Sequence, residues 1–128
     1  MQKPLGHHWL VEVTEAPFDI LNQVQEIHSL MDMAVQHLNV EVLHTQFHEF
    51  SPQGVTGFFL LKESHLSIHT WPEKQYAAID LFTCGEKMNI QPFITLLKQC
   101  FQTQKVEVSY VPRGVITSTS KKVITKGE

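Results

Sequence analysis

Between two helix-like segments lies a run from Val40 to Cys84 in which extended stretches are joined by connectors only a few residues long. Connectors that short cannot carry a crossover, so neighbouring strands here must run antiparallel. Val40 to Phe50 reads as extended, Ser51-Pro52-Gln53-Gly54 as a turn, and Val55 to Leu61 as the second arm of a β-hairpin. Leu66 to Trp71 and Ala77 to Cys84 follow as two more strands, parted by the breaker Trp71-Pro72-Glu73-Lys74-Gln75 and closed by Gly85.

The flanks decide the layers. His7 to Glu15 alternates, with Trp9, Val11 and Val13 to one side and His8, Leu10 and Glu12 to the other, which is strand periodicity. After Pro17, Ile20, Leu21, Val24, Ile27, Leu30, Met31, Ala34, Val35 and Leu38 step by threes and fours and predict one continuous helical stripe. Ile90, Phe93, Ile94, Leu97, Cys100 and Phe101 make a second stripe, and Val106 to Val111 a last strand before Pro112, Arg113 and Gly114. Such elements close most simply as a two-layer α+β sandwich, a mainly antiparallel sheet with two helices on one face. The other face, with Trp9 and further aromatic and polar residues among its candidates, is left free for a partner or a ligand.

The 128 residues, 42% of them apolar, suffice for the core of one domain but not of two. Residues 1–114 are expected to form that domain and 115–128 a polar tail. With 10 basic and 13 acidic residues and a net charge of −3, the chain lacks the polybasic footprint that nucleic acids and anionic lipids select. No apolar run approaches the ~20 residues of a membrane span. The opening Met-Gln-Lys-Pro-Leu-Gly-His-His lacks the apolar stretch of a signal peptide. A cytoplasmic location is the expectation, with Cys84 and Cys100 as free thiols.

The densest collection of reactive side chains is Lys62-Glu63-Ser64-His65-Leu66-Ser67-Ile68-His69-Thr70-Trp71-Pro72-Glu73. It admits a plain reading: Leu66 and Ile68 face a core while His65, Ser67 and His69 face water. A metal reading rests on His44 and His48, and on His65 and His69, each pair spaced by four. On a strand that spacing spans ~13 Å, too far for one ion, so no metal is expected. A third reading pairs Cys84 with a histidine as a nucleophilic hydrolase, which requires an activated thiolate. Cys84 also suits a strand end, and Cys100 belongs to the apolar stripe of the second helix.

The blocks Phe47-His48-Glu49-Phe50-Ser51-Pro52-Gln53-Gly54-Val55-Thr56-Gly57, Glu63 through Glu73, and Ala77-Ala78-Ile79-Asp80-Leu81-Phe82-Thr83-Cys84-Gly85 resemble the prokaryotic S-adenosylmethionine decarboxylase proenzymes. The likeness runs more loosely from Gly6-His7 to Arg113-Gly114. It implies that Ser64 attacks the Glu63 carbonyl and that the chain parts into 1–63 and 64–128. Ser64 then becomes a covalent pyruvoyl cofactor, the carrier of the Schiff base to the substrate amine. It implies His69 as the proton acceptor in processing, Thr56 in place of an assisting serine, and Cys84 as the proton donor in catalysis, a role that wants a thiol rather than a thiolate. Phe50 and Trp71 are candidates for stacking on adenine and for contact with the cationic sulfur, and Glu73 for a ribose hydroxyl.

The resemblance implies S-adenosylmethionine as substrate and spermidine or other polyamine synthesis as the setting. Ornithine or arginine are alternatives, and a non-catalytic metal-binding module a distant one. Members of this size pair, so a homodimer is expected, with the ligand site at or near the interface. Two departures touch recognition: many members have Tyr-Gly-Tyr where Lys74-Gln75-Tyr76 stands, and Gly-Cys is frequent where the first strand ends in Thr14-Glu15-Ala16-Pro17. A straight strand would hold Ser64 and His69 ~16 Å apart on opposite faces. A turn is therefore expected between Glu63 and Leu66.

Overall fold

The structure, a computed structural model, describes residues 3–115. The expected tail, 115–128, lies outside the described residues apart from Val115. The elements in chain order are β1 (Gly6–Thr14), α1 (Phe18–Leu21), α2 (Val24–Val35), β2 (Val42–Glu49), β3 (Val55–Leu61), β4 (Ser64–Trp71), β5 (Tyr76–Cys84), α3 (Gln91–Cys100) and β6 (Val106–Arg113). Short 3₁₀ turns occupy Gln36–Leu38 and Pro72–Lys74.

Six strands form one antiparallel sheet in the order β2-β3-β4-β5-β1-β6. Its alternation explains its layers. Val11, Val13, Val55, Phe59, Leu61, Leu66, Ile68, Ala77, Ile79 and Leu81 share one face, none more than 1% exposed. Against them lie Leu21, Ile27 and Met31 from α1 and α2, with Phe93, Leu97 and Phe101 from α3 and its end, all fully buried. Burying a side chain of this kind contributes about 1.5–3 kcal/mol, and this shared face carries most of them. The expected two-layer α+β sandwich with its helices on one side is the observed architecture.

Details depart from expectation for local reasons. Trp9 belongs to the helix-covered face, not the free one: it is 4% exposed, follows the parity of Val11 and Val13, and meets the Tyr110 ring at 5.4 Å. The first helical stripe is broken at Asn22 and Gln23 although its apolar periodicity continues. There the Asn22 side chain turns to accept the backbone N–H of Gly54 at 3.1 Å, tying the α1–α2 joint to the turn after β2. A second tie is Thr70, whose hydroxyl accepts the Val55 N–H at 2.9 Å and donates to the Leu21 carbonyl at 2.9 Å. Strand β4 begins at Ser64 rather than Leu66.

Candidate active site

The open face of the sheet is read in rows across the strands. His44, Leu60, His65, Phe82, His8 and Val111 form one row, and Gln46, Phe58, Ser67, Asp80, Leu10 and Ser109 the next. A third runs His48, Thr56, His69, Ala78, Glu12 and Glu107. Phe58 and Leu60 are 39% and 44% exposed, an apolar centre that no described element covers. The histidine pairs 44/48 and 65/69 sit on extended β2 and β4, where four residues separate the members too widely to share one ion.

The candidate residues gather at opposite ends of these strands. At one end, Lys62 and Glu63 form a two-residue turn closed by the Leu61–Ser64 pair. Glu63 takes the left-handed conformation, φ +63°. The turn expected between Glu63 and Leu66 is not there: the chain turns at Lys62 and Glu63, because a left-handed Glu63 closes the hairpin, and β4 runs straight from Ser64. Cys84 ends β5 at the same end, exposed and paired in register with Gly6. At the other end, a cleft of about 380 Å³ is lined by Phe50, Gln53, Gly54, Thr56, His69, Thr70, Trp71 and Glu73. Thr56 Oγ1 and His69 Nδ1 are hydrogen-bonded at 3.1 Å. The Trp71 ring lies 6.3 Å from that of His69 and 5.4 Å from that of Tyr76.

The structure therefore brings Phe50, Thr56, His69, Trp71 and Glu73 together, and Glu63, Ser64 and Cys84 together, but not the two groups. Five residues of extended β4 hold Ser64 and His69 ~16 Å apart. Ser64 follows the parity of Leu66 toward the helices, whereas His69 follows that of His65 and Ser67 toward the open face.

Electrostatics single out the middle of the open face. His65 stacks on Phe82 at 5.6 Å and on Phe58 at 5.8 Å. Burial holds its pKa below the usual histidine value, nearby His8 adds to that, and Asp80 opposes it. His8 Nε2 lies 3.5 Å from the Asp80 carboxylate. Burial first, and then a hydrogen bond donated to Glu12, push the Tyr76 phenol up to about 12. The Cys100 thiol is raised by burial and by Glu26, which suits a packed residue and not a nucleophile.

Sequence reasoning missed His7 and Thr83. His7 is 3% exposed, with Nδ1 2.6 Å from the Tyr110 hydroxyl and Nε2 2.8 Å from the Gly85 carbonyl. Since a carbonyl only accepts, Nε2 donates to Gly85 and Nδ1 accepts from Tyr110. His7 borders a second recess of about 470 Å³, with Lys3, Leu5, Gly85, Lys87 and Tyr110 also in its wall. The alternation that buries Trp9 also buries His7, but nothing in composition separates it from His8. Among the described residues no helix is long and apolar enough to cross a membrane.

The profile of the family described as S-adenosylmethionine decarboxylase matches residues 7–114. An S-adenosylmethionine decarboxylase proenzyme from Pelotomaculum thermopropionicum is 42% identical over 122 residues, covering 95% of this chain and 97% of its own. One from Moorella thermoacetica is 43% identical over 114 residues, covering 89% and 91%. The crystal structure of the adenosylmethionine decarboxylase from Aquifex aeolicus superposes with a TM-score of 0.80 at 29% identity, over 94% of this chain and 99% of that one.

Proposed function

The chain belongs to the S-adenosylmethionine decarboxylase family, and we propose that it cuts itself between Glu63 and Ser64 and builds each active site from two copies. Its activity is the decarboxylation of S-adenosylmethionine, which yields decarboxylated S-adenosylmethionine for polyamine synthesis. The relatives are named for that substrate, and the ornithine and arginine alternatives find no support among them. A reducing, cytoplasmic setting suits the two free thiols.

The observation that carries the two-copy reading is the segregation of candidate residues to opposite strand ends. A two-fold operation that reverses strand direction, stacking two open faces, lays each Ser64 end over the partner's His69 end. Phe58, in the middle row, then meets its equivalent instead of water, and Leu60 and Phe82 are covered by the partner's His69 end, in the sheet-on-sheet packing such faces favour.

Processing uses both faces of β4. On the helix side, the Ser64 hydroxyl bonds to the Glu63 carbonyl carbon and the peptide C–N bond breaks, leaving an ester and a free Ser64 amine. With the side chain directed toward the helices, the Ser64 Cα–H lies near the plane of the sheet, off the helix face. His69, presented from the open side by the partner, can take that proton while the ester oxygen departs on the opposite side. Fragment 1–63 leaves as a carboxylate, and water then converts the dehydrated residue 64 to a pyruvoyl group with loss of ammonia. The first position of a strand, free of any chain before it once the cut is made, fits that group.

The pyruvoyl group supplies an electron-withdrawing carbonyl for loss of carbon dioxide from the substrate. The remaining work belongs to side chains. When Nδ1–H of His69 donates to the Thr56 hydroxyl, the Nε2 lone pair is left free as a base. Cys84, exposed at the Ser64 end, returns a proton to the substrate carbon. Phe50 and Trp71, 48% and 43% exposed, offer faces for adenine and sulfonium, and Glu73 a carboxylate for ribose hydroxyls.

Intact-mass analysis tests the reading. Purified protein should appear as fragments 1–63 and 64–128, the second with a blocked pyruvoyl end, and Ser64→Ala should remain whole. A wild-type chain that stays whole, or one that is cut yet releases no carbon dioxide from S-adenosylmethionine, overturns it.

A further inference from the structure

Thr83 faces the helix layer from β5, 1% exposed, in the line of Ala77, Ile79 and Leu81. Its hydroxyl is buried and has no hydrogen-bond partner. Among the described residues one other buried side-chain atom, His8 Nε2, is in that position, and it has the Asp80 carboxylate 3.5 Å away. Buried polar atoms are nearly always paired, so each exception asks for a use. Valine would fill the same space with no such need.

The neighbours narrow that use. Directly opposite on β1 is His7, but both its ring nitrogens are engaged, by Tyr110 and by Gly85. On the other side, the β4–β5 ladder ends at His65–Phe82, and one further step sets Ser64 opposite Thr83. Residues opposite each other across antiparallel strands share a face, and Ser64 shares that of Leu61 in the same way. The hairpin's closing pair turns the Ser64 N–H toward Leu61. In a planar trans peptide the Glu63 carbonyl must then point the other way, toward β5.

We infer that Thr83 donates its hydroxyl hydrogen to the Glu63 carbonyl oxygen as that oxygen gains negative charge during self-cleavage. The inference rests on the self-cleavage reading above and adds a residue to its first step. As the Ser64 oxygen bonds to the Glu63 carbonyl carbon, the C=O electron pair moves onto oxygen. The pair returns when the C–N bond breaks, and the Ser64 hydroxyl proton ends on the departing nitrogen. Thr83 stays neutral throughout, and nothing is oxidised or reduced. A donor fixed beforehand in a water-free position stabilises such an oxygen without reorganisation. The helix face thus serves ester formation, and the open face serves the proton removal that follows.

Cleavage of newly synthesised chains, followed by mass spectrometry, tests this. Thr83→Val should slow the appearance of fragments 1–63 and 64–128 by about 100–1,000-fold, the scale of losing one such donor. Thr83→Ser, which keeps the hydroxyl, should stay near the wild-type rate. In a Ser64→Ala background, where no cut occurs, Thr83→Val should melt no lower than its parent. Wild-type cleavage rates in Thr83→Val sink this inference alone, and so does slow cleavage accompanied by a lowered melting temperature. A wild-type chain that is never cut sinks the self-cleavage reading and this inference with it.

Discussion

His65 carries a testable pH signature. Its pKa is held below the ordinary 6.5 in the folded chain, by burial and then by His8. The unfolded chain therefore takes up the proton first as pH falls. Stability should drop as pH descends through about 6.5 and level off below the folded value. In the Ser64→Ala chain, the melting temperatures of parent and His65→Gln, compared from about pH 8 to pH 5, should converge as pH falls. Parallel curves would remove His65 as the cause. Gln75 holds a left-handed conformation, φ +54°. The left-handed penalty of about 1–2 kcal/mol outweighs the extra chain entropy of glycine, about 0.5–1 kcal/mol. Gln75→Gly should therefore raise stability by about 0.5–1 kcal/mol in denaturant titration, and no gain would mean that Gln75 is unstrained. Neither this position nor Glu63 could be read as left-handed from sequence, since the usual Gly or Asn signal is missing at both. The side-chain roles were legible only through long motifs, which name residues but not distances.

At the scale of elements, Thr70 is the join between α1 and the β3–β4 pair. Thr70→Val would leave the buried Val55 N–H without its acceptor, and the expected cost is about 1–3 kcal/mol, with Thr70→Ser restoring most of it. Chemical denaturation of the Ser64→Ala chain measures this, and an unchanged midpoint would show that the join is dispensable. Gly57 is a second constraint: a Cβ there would lie 2.1 Å from the Phe47 ring, which stacks at 4.3 Å on His28 of α2. Most strand positions followed from alternation, because one sheet face is predominantly apolar. The start of β4 did not, since Ser64 and His65 fall outside the apolar pattern that marks Leu66 and Ile68. The break at Asn22 was hidden for a different reason. The apolar stripe runs through it, and what interrupts the helix is a tertiary bond to Gly54.

At the scale of the molecule, two-copy assembly predicts rescue in trans. A His69→Ala chain should fail to cut itself when expressed alone. Mixed with Ser64→Ala, it meets an intact His69 across the interface and should be cut, while the Ser64→Ala chain stays whole. Fragment analysis of the co-expressed pair decides it, and no cutting in the mixture would return His69 to its own chain. The sheet order carries a last consequence. Strands β2, β3 and β1 come from residues before the cut and β4, β5 and β6 from residues after it, so along the sheet the two pieces alternate in blocks. Neither piece holds a contiguous half of the sheet. To part, they must tear three ladders at once, β3 from β4, β5 from β1 and β1 from β6. Cleavage thus yields a laced pair that persists without its covalent link yet cannot be relaced easily. Denatured Ser64→Ala chain should refold on dilution, whereas the cut enzyme should lose recovery as dilution increases, its two threads having to find each other before either has a sheet to join.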